Sequence, residues 1–385
     1  MEEKFGLYRS DIKSQTIYDR VLSYINKKYD IRFNIIALEL EIKLKTSKSE
    51  WQDINMNSLL IELVQSGNNI NMNKLETLVK SDYILKYNPF WEYFSSLPSW
   101  DGIDHISHLC SLIRTTEDNL FAYHFEKWIT RSVKCALEEG KVNKQCLVLY
   151  NTIQNSGKST FLQFLIPNSM KKYYTEDISV DKDGLIALCK SLIVNIEEMS
   201  IMSKTDINIL KAFISKNSVN ARLPYARKTE LMSRTCSFVG STNKIDLLSD
   251  ESGSVRWLIF EVLHINFKYS SEINIDNVWA QAYFNAYERK NYNPELTSSD
   301  IIENEKRNEK YSIISMEQEI ISAYFEKSTD SEHFLTATDI VLAMNNALGL
   351  TLTNIKVGKA LTGLKYQRIK HPKLQTYGYL IKRKE

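Results

Sequence analysis

Four short apolar runs confine the middle of this chain to a narrow set of folds: Gln145–Tyr150, Ser191–Ile196, Cys236–Ser241 and Trp257–Val262. Each is close to continuously apolar instead of alternating, and helical segments separate the first three. Strands buried on both faces and alternating with helices imply a parallel sheet with helices packed on each side. The expected fold class is therefore α/β, with its core over residues 141–263. Ligands of such sheets bind beyond the C-terminal ends of the strands, so the residues that follow each run carry the most information.

The first run leads into Thr152-Ile-Gln-Asn-Ser-Gly-Lys-Ser-Thr160, with a helix expected from about Ser159. Strand, loop and helix in that order are the context of a phosphate-binding loop. Backbone amides at the helix start point at the phosphates, and the helix dipole favours their charge. Lys158 would reach the β- and γ-phosphates, and Ser159 would hold Mg²⁺. Thr152 stands where the pattern GxxxxGK[ST] has its first glycine. Asn155 is the loop residue best able to replace a glycine, because asparagine tolerates positive φ. With Gln154, Ser156, Gly157 and Thr160, these residues form the candidate ATP-binding set.

The second run ends in Glu197 and Glu198, two carboxylates at the ligand-binding edge of the sheet. Glu197 is assigned to the Mg²⁺ shell and Glu198 to polarising the attacking water. The third run continues to Thr242 and ends in Asn243, an amide able to hold that water or sense the γ-phosphate. A polar turn, Ser249 to Gly253, precedes Arg256 and the last run. Arg256 could reach a neighbouring subunit's nucleotide, a role that contributes roughly 10³–10⁵ in rate. Each feature has an ordinary alternative: a helix start with a lone lysine, a solvated strand end, an asparagine turn, an arginine capping a strand. Their succession at strand ends favours a nucleotide site.

Around the core, residues 1–85 read as a mixed α+β region, with a strand or hairpin over Arg32 to Lys45 and helical spacing over Met72 to Val79. Residues 86–140 read as helical, with a helix over Phe121 to Leu137 and Gly140 as its C-cap. A helical connector is expected over 264–310. Residues 311–385 read helix, helix, helix, hairpin, the order of a winged helix.

The motif order resembles a superfamily 3 helicase core of the AAA+ class, and more specifically the chain resembles the virulence-associated E family. Trp100-Asp101-Gly102 resembles that family's WDG signature. Gln154 with Gly157-Lys158-Ser159-Thr160 resembles its PQGxGKST loop, and Arg222 to Arg227, with Arg234 after it, its RxPYGR segment. Gly240 to Asn243 resembles its GTTN, and Asp250 to Trp257 its D-x-x-G-x-RR-[FW]. Val255 replaces the first arginine of that pair, so a finger role falls to Arg256, or moves to Arg222 or Arg227. The resemblance implies a P-loop AAA+ ATPase that works on DNA, single-stranded or forked, as a homo-oligomer, expected to be a hexamer or else a heptamer. It also implies replication of a mobile element, phage or plasmid. Family members often carry a primase. The leading 85 residues are too short for one, so a primase would be a separate partner.

Basic residues are segregated in a chain whose net charge is only +2. In superfamily 3 helicases the interval between the acids and the sensor strand holds a hairpin that enters the ring channel. Here it carries Lys216, Arg222, Arg227, Lys228 and Arg234 against Glu230. Arg227 and Lys228 are favoured for the tip, with Tyr225 free to stack on bases; alternatively, Arg222 and Arg227 contact ATP at the subunit interface. From Thr351 onward nine basic residues face the single acid Glu385. Lys356 and Lys359 on the third helix, with Lys370 and Lys373 at the wing, are candidates for duplex or fork contact.

Several classes are disfavoured. No apolar run approaches the roughly 18–20 residues of a membrane helix, and the start shows no secretory pattern. Five scattered cysteines without a CxxC pair suit a reducing, cytoplasmic setting and neither a disulfide framework nor structural zinc. His105 and His108 lack partners at zinc-ligand spacing. An ATP-dependent helicase or translocase is the leading expectation. An ATP-gated DNA-binding initiator or excision factor, without processive unwinding, is the alternative, and a partner-remodelling ATPase is a third.

Overall fold

The computed structural model describes residues 15–46, 49–176, 178–179, 181–197, 204–221, 229–245, 255–311, 314–349, 351–373 and 375–384. Its central sheet has six strands: β1 (Ile113–Thr115), β2 (Cys146–Tyr150), β3 (Tyr174–Glu176), β4 (Ile193–Ile196), β5 (Ser237–Thr242) and β6 (Trp257–Ile265). The order across the sheet is β1-β6-β2-β5-β4-β3. β2 to β6 run parallel, and β1 closes one edge antiparallel to the end of β6.

The four apolar runs thus supply β2, β4, β5 and β6, and every residue of the first three is buried. Side-chain alternation splits β2 between two cores. Leu147 and Leu149 join Phe125, Trp128, Phe161 and Trp279 on one face. Cys146, Val148 and Tyr150 join Ile186, Leu210 and Phe213 on the other. β1 and β3 are three-residue edge strands, too short to leave a pattern.

The long helix Asp118–Leu137 lies under the first face, buried at Phe121, Phe125, Trp128, Ile129 and Val133. Its C-cap is Glu138 in extended conformation, and Gly140, expected there, sits two residues further on with φ +77°. The helix Ile275–Tyr287 packs on it through Val278, Trp279 and Ala282 in the same core. Asn304 and Asn308 then donate to the Trp257 carbonyl at 3.1 and 2.7 Å, fixing the start of β6.

The N-terminal region has its own core of Val21, Ile25, Leu59, Leu63, Leu75 and Leu78. The expected hairpin is Tyr29–Asn34 paired antiparallel with Glu39–Leu44, and the expected helix is Met72–Val79, capped by Asn71. The C-terminal region also has a separate core. Helices Met316–Tyr324, Ala337–Leu348 and Asn354–Gly363 precede an antiparallel pair, Arg368–Lys370 with Tyr377–Arg383. Two short strands, Phe325–Lys327 and Phe334–Leu335, also pair with the last one. No described helix is long and apolar enough to cross a membrane.

Candidate functional site

Sheet order decides what meets at the strand ends. β5 lies between β2 and β4, with Thr242 opposite Tyr150 and Gly240 opposite Ile196. The loop after β2, Asn243 after β5 and Glu197 after β4 therefore emerge side by side. They enclose a cavity of about 330 Å³. Its wall is polar: Gln154 to Thr160 from the loop, Glu197, and Ser241, Thr242 and Asn243. Thr152, expected with them, is exposed and lies outside that lining.

The loop's path follows from three residues. Asn151 is buried; its amide donates to the Val262 carbonyl at 2.6 Å, and its side-chain oxygen accepts from the Ile153 amide. Asn155 has φ +55°, the positive value for which it was singled out. Gly157 has φ +86° and is the N-cap of the helix Lys158–Phe164. The positive φ favours glycine here, and a Cβ added to Gly157 would lie 2.6 Å from Phe267 Cζ, so that ring would have to move for any other residue.

Lys158 is 6% exposed. Its Nζ donates to Asn243 Oδ1 at 2.7 Å, and has Ser156 Oγ at 3.0 Å, the Ile153 carbonyl at 3.2 Å and the Asn151 carbonyl at 3.3 Å. Burial lowers its pKa from the usual lysine value. These described partners are two carbonyls, a hydroxyl and a side-chain amide, with no carboxylate among them. Ser159 Oγ lies 3.3 Å from Ser241 Oγ. Asn195 Nδ2 donates to Glu197 Oε1 at 3.2 Å.

Asn195, Ser241 and Thr242 were not singled out from the sequence. The signal for Asn195 was available: a polar residue in an apolar strand, two positions before Glu197, shares its face. Ser241 and Thr242 lie within the Gly240 to Asn243 segment that resembles GTTN, but only Asn243 is given a role from it.

Other expected site residues fall elsewhere. The Arg256 carbonyl accepts from the Cys146 amide, which puts this residue at the start of β6 and the end of the sheet remote from the cavity. Its Nε donates to Ser215 Oγ at 2.8 Å. Glu198, Arg222, Arg227 and Lys228 lie outside the described residues. The strands flanking those basic residues, Ser218–Ala221 and Glu230–Ser233, pair antiparallel. Arg234 corrects the reading of that interval as one basic surface. It is fully buried and its guanidinium serves backbone carbonyls. In the C-terminal region Lys356, Lys359, Lys370 and Lys373 are all exposed. Lys356 pairs with Glu317 at 3.5 Å, Lys365 pairs with Glu309, and Lys382 pairs with Glu326 at 2.8 Å. Part of the positive run is therefore neutralised by acids from earlier in the chain.

A model of the virulence-associated protein E-like domain matches residues 94–313, more than half of the chain. The chain belongs to the virulence-associated protein E-like family. The matched span contains the loop, both neighbouring strand ends and the helices that pack beneath them. No curated protein matches this family member. Among solved structures it is similar to the apo C-terminal region of NrS-1 (residues 305–718 of that protein), at 13% identity and a TM-score of 0.56, covering 97% of this chain and 100% of that one. A second form of the same region gives 13% identity and 0.51, covering 96% and 99%. At that identity the likeness concerns the fold, and it extends over the N- and C-terminal regions of this virulence-associated protein E-like chain as well as its sheet.

Proposed function

We propose that the chain is a Mg²⁺-dependent ATPase with a P-loop AAA+ core of the superfamily 3 helicase type and a winged-helix-like C-terminal domain. It drives DNA unwinding or translocation in the replication of a mobile genetic element, phage or plasmid. One observation carries the reading: three adjacent parallel strand ends bring a lysine-serine loop, an amide and a carboxylate to one small polar cavity. Hydroxyls, amides and a desolvated lysine suit a triphosphate, and the wall offers little to an apolar ligand.

The residues fit the cofactors. Lys158 exchanges its contacts with the Asn151 and Ile153 carbonyls for phosphate oxygens. In a site shielded from water that attraction is stronger than in solution. Ser159 and Glu197 are hard oxygen donors, and Mg²⁺ uses one or two protein ligands together with phosphate oxygens and water. Once bound, the ion neutralises charge developing on the phosphate oxygens. Asn195 orients Glu197 through its amide. Asn243, bonded to Lys158, marks the γ-phosphate end, and Glu198 is assigned to the attacking water.

Arg256 cannot serve the cavity of its own subunit from the opposite end of the sheet, which supports a role in the cavity of a neighbour and an oligomeric ring, with six subunits expected. DNA then passes Arg227 and Lys228 in the channel, while Lys359, Lys370 and Lys373 contact duplex or fork. A mixing experiment tests the shared site. Arg256→Ala and Glu198→Gln proteins are each expected to lose roughly 10³-fold or more in hydrolysis. Mixed, they regain activity, because an Arg256→Ala subunit keeps its own carboxylates and borrows an arginine. No recovery at any ratio, with mixed rings formed, contradicts the trans assignment.

A further inference from the structure

The sheet order gives the phosphate loop two different flanks. Glu197 and Asn243 follow β4 and β5, both on one side of the loop strand β2. On its other side stands β6, and two residues beyond β6 is Phe267. From β4 to β6 there are three strand spacings, roughly 14 Å, a span on the scale of an extended nucleoside triphosphate. With the γ-phosphate at Asn243 and Lys158, the base leaves towards the β6 flank.

Phe267 is placed to meet it. Phe267 is 55% exposed, yet its ring touches the phosphate loop: the position of a Cβ on Gly157 is 2.6 Å from its Cζ and 2.7 Å from its Cε1. Its backbone is held firmly. Asn266 donates to the Leu112 carbonyl at 2.8 Å, and the Phe267 carbonyl accepts from the Ser270 amide and hydroxyl at 3.2 and 2.9 Å. The next ring, Tyr269, is buried against Phe161 and Phe164 of the loop helix. Ile153 in the loop and Leu263 near the end of β6 are also exposed, at 66% and 59%. An aromatic face left in water on a fixed backbone, beside a polar phosphate cavity, is a platform for a flat ring.

We propose that Phe267 is the stacking platform for the base of the bound nucleotide, an inference that rests on the nucleotide reading of the cavity. Stacking is tolerant of base identity because every base presents a π-face. Phe267 therefore contributes to affinity for adenine and guanine nucleotides alike.

The test compares Mg·ATP, Mg·GTP and Mg·tripolyphosphate by calorimetric titration against wild type, Phe267→Ala, Phe267→Leu and Phe267→Trp, each checked by thermal melting. Phe267→Ala and Phe267→Leu are expected to weaken both nucleotides about 5- to 150-fold and to leave tripolyphosphate unchanged. Phe267→Trp keeps nucleotide affinity. Equal weakening of tripolyphosphate and nucleotide overturns the proposal, since the ring would then only support the loop. Unchanged nucleotide binding in both truncations overturns it too. If wild type binds none of the three probes, the nucleotide reading itself has failed. Binding of tripolyphosphate by wild type, with no split between the probes in the variants, sinks the stacking role alone.

Discussion

Lys158→Ala is expected to abolish DNA-stimulated ATP hydrolysis, by about 10²–10³-fold or more, without unfolding the protein. Among the described residues the lysine is the one cation in the cavity lining, and it is buried. Its own charge does not stabilise the free fold. Burial holds its pKa below the usual 10.5, so between the lowered value and 10.5 the unfolded chain binds more protons than the native one. Stability from this group therefore rises with pH through that window, and below it the charged form costs stability in full. Alanine removes that cost but also leaves the Asn151 and Ile153 carbonyls and Asn243 Oδ1 without their donor, so the two effects oppose each other and the denaturation midpoint is expected to move little while turnover disappears. The same pair of proteins on a forked substrate distinguishes motor from switch. Strand displacement by wild type alone supports the helicase. DNA-stimulated hydrolysis without displacement supports the ATP-gated initiator. Hydrolysis by Lys158→Ala at the wild-type rate removes the loop from the mechanism.

Arg234→Ala has the opposite signature: stability collapses for reasons unrelated to DNA. The guanidinium donates to the Cys236 carbonyl at 3.0 Å, to Phe213 at 3.2 Å, to Ile214, and to Lys216 at 3.3 Å from one side, and to Asn143 at 2.8 Å from the other. Three of those carbonyls lie in or just past the last turn of the helix Lys204–Ser215, which Arg234 caps and ties to the approach to β2. Each orphaned buried carbonyl costs about 1–3 kcal/mol, so the loss is expected to exceed about 3 kcal/mol, read from the urea midpoint. Arg234→Lys recovers little, because one ammonium cannot reproduce a planar fork of donors. A loss under about 1 kcal/mol accompanied by weakened DNA binding would return Arg234 to the nucleic-acid surface.

These two residues mark how far the sequence is legible. Lys158 sits in a motif whose neighbours fix its surroundings: apolar β2 before it, Asn155 and Gly157 with the positive φ the turn needs, and a helix after it. Local chemistry and long-range burial agree there, so the loop, the acidic strand end and Asn243 could be read before the fold was known. Arg234 sits in a run of basic residues, and composition alone makes it resemble its exposed neighbours. Only the meeting of β5, the helix Lys204–Ser215 and Asn143 shows that its charge is enclosed, and that is tertiary information. The short edge strands β1 and β3 escaped for a related reason: three residues carry no period, and their pairing depends on partners far along the chain. The acids that pair with Lys356, Lys365 and Lys382 likewise lie outside the positive segment. Phe267 had no motif at all; its exposure beside Gly157 is visible only in three dimensions.

The most direct measurement is an electron cryo-microscopy map of the protein with Mg²⁺, a non-hydrolysable ATP analogue and single-stranded DNA. The account predicts a ring in which the triphosphate lies across the ends of β2, β5 and β4, with Lys158 on its phosphates, Asn243 and Glu197 at the γ-phosphate, and the Arg256 of an adjacent subunit reaching the same group. Nucleotide bound away from those strand ends, or Lys158 still tied to the Asn151 and Ile153 carbonyls with the analogue in place, would contradict it.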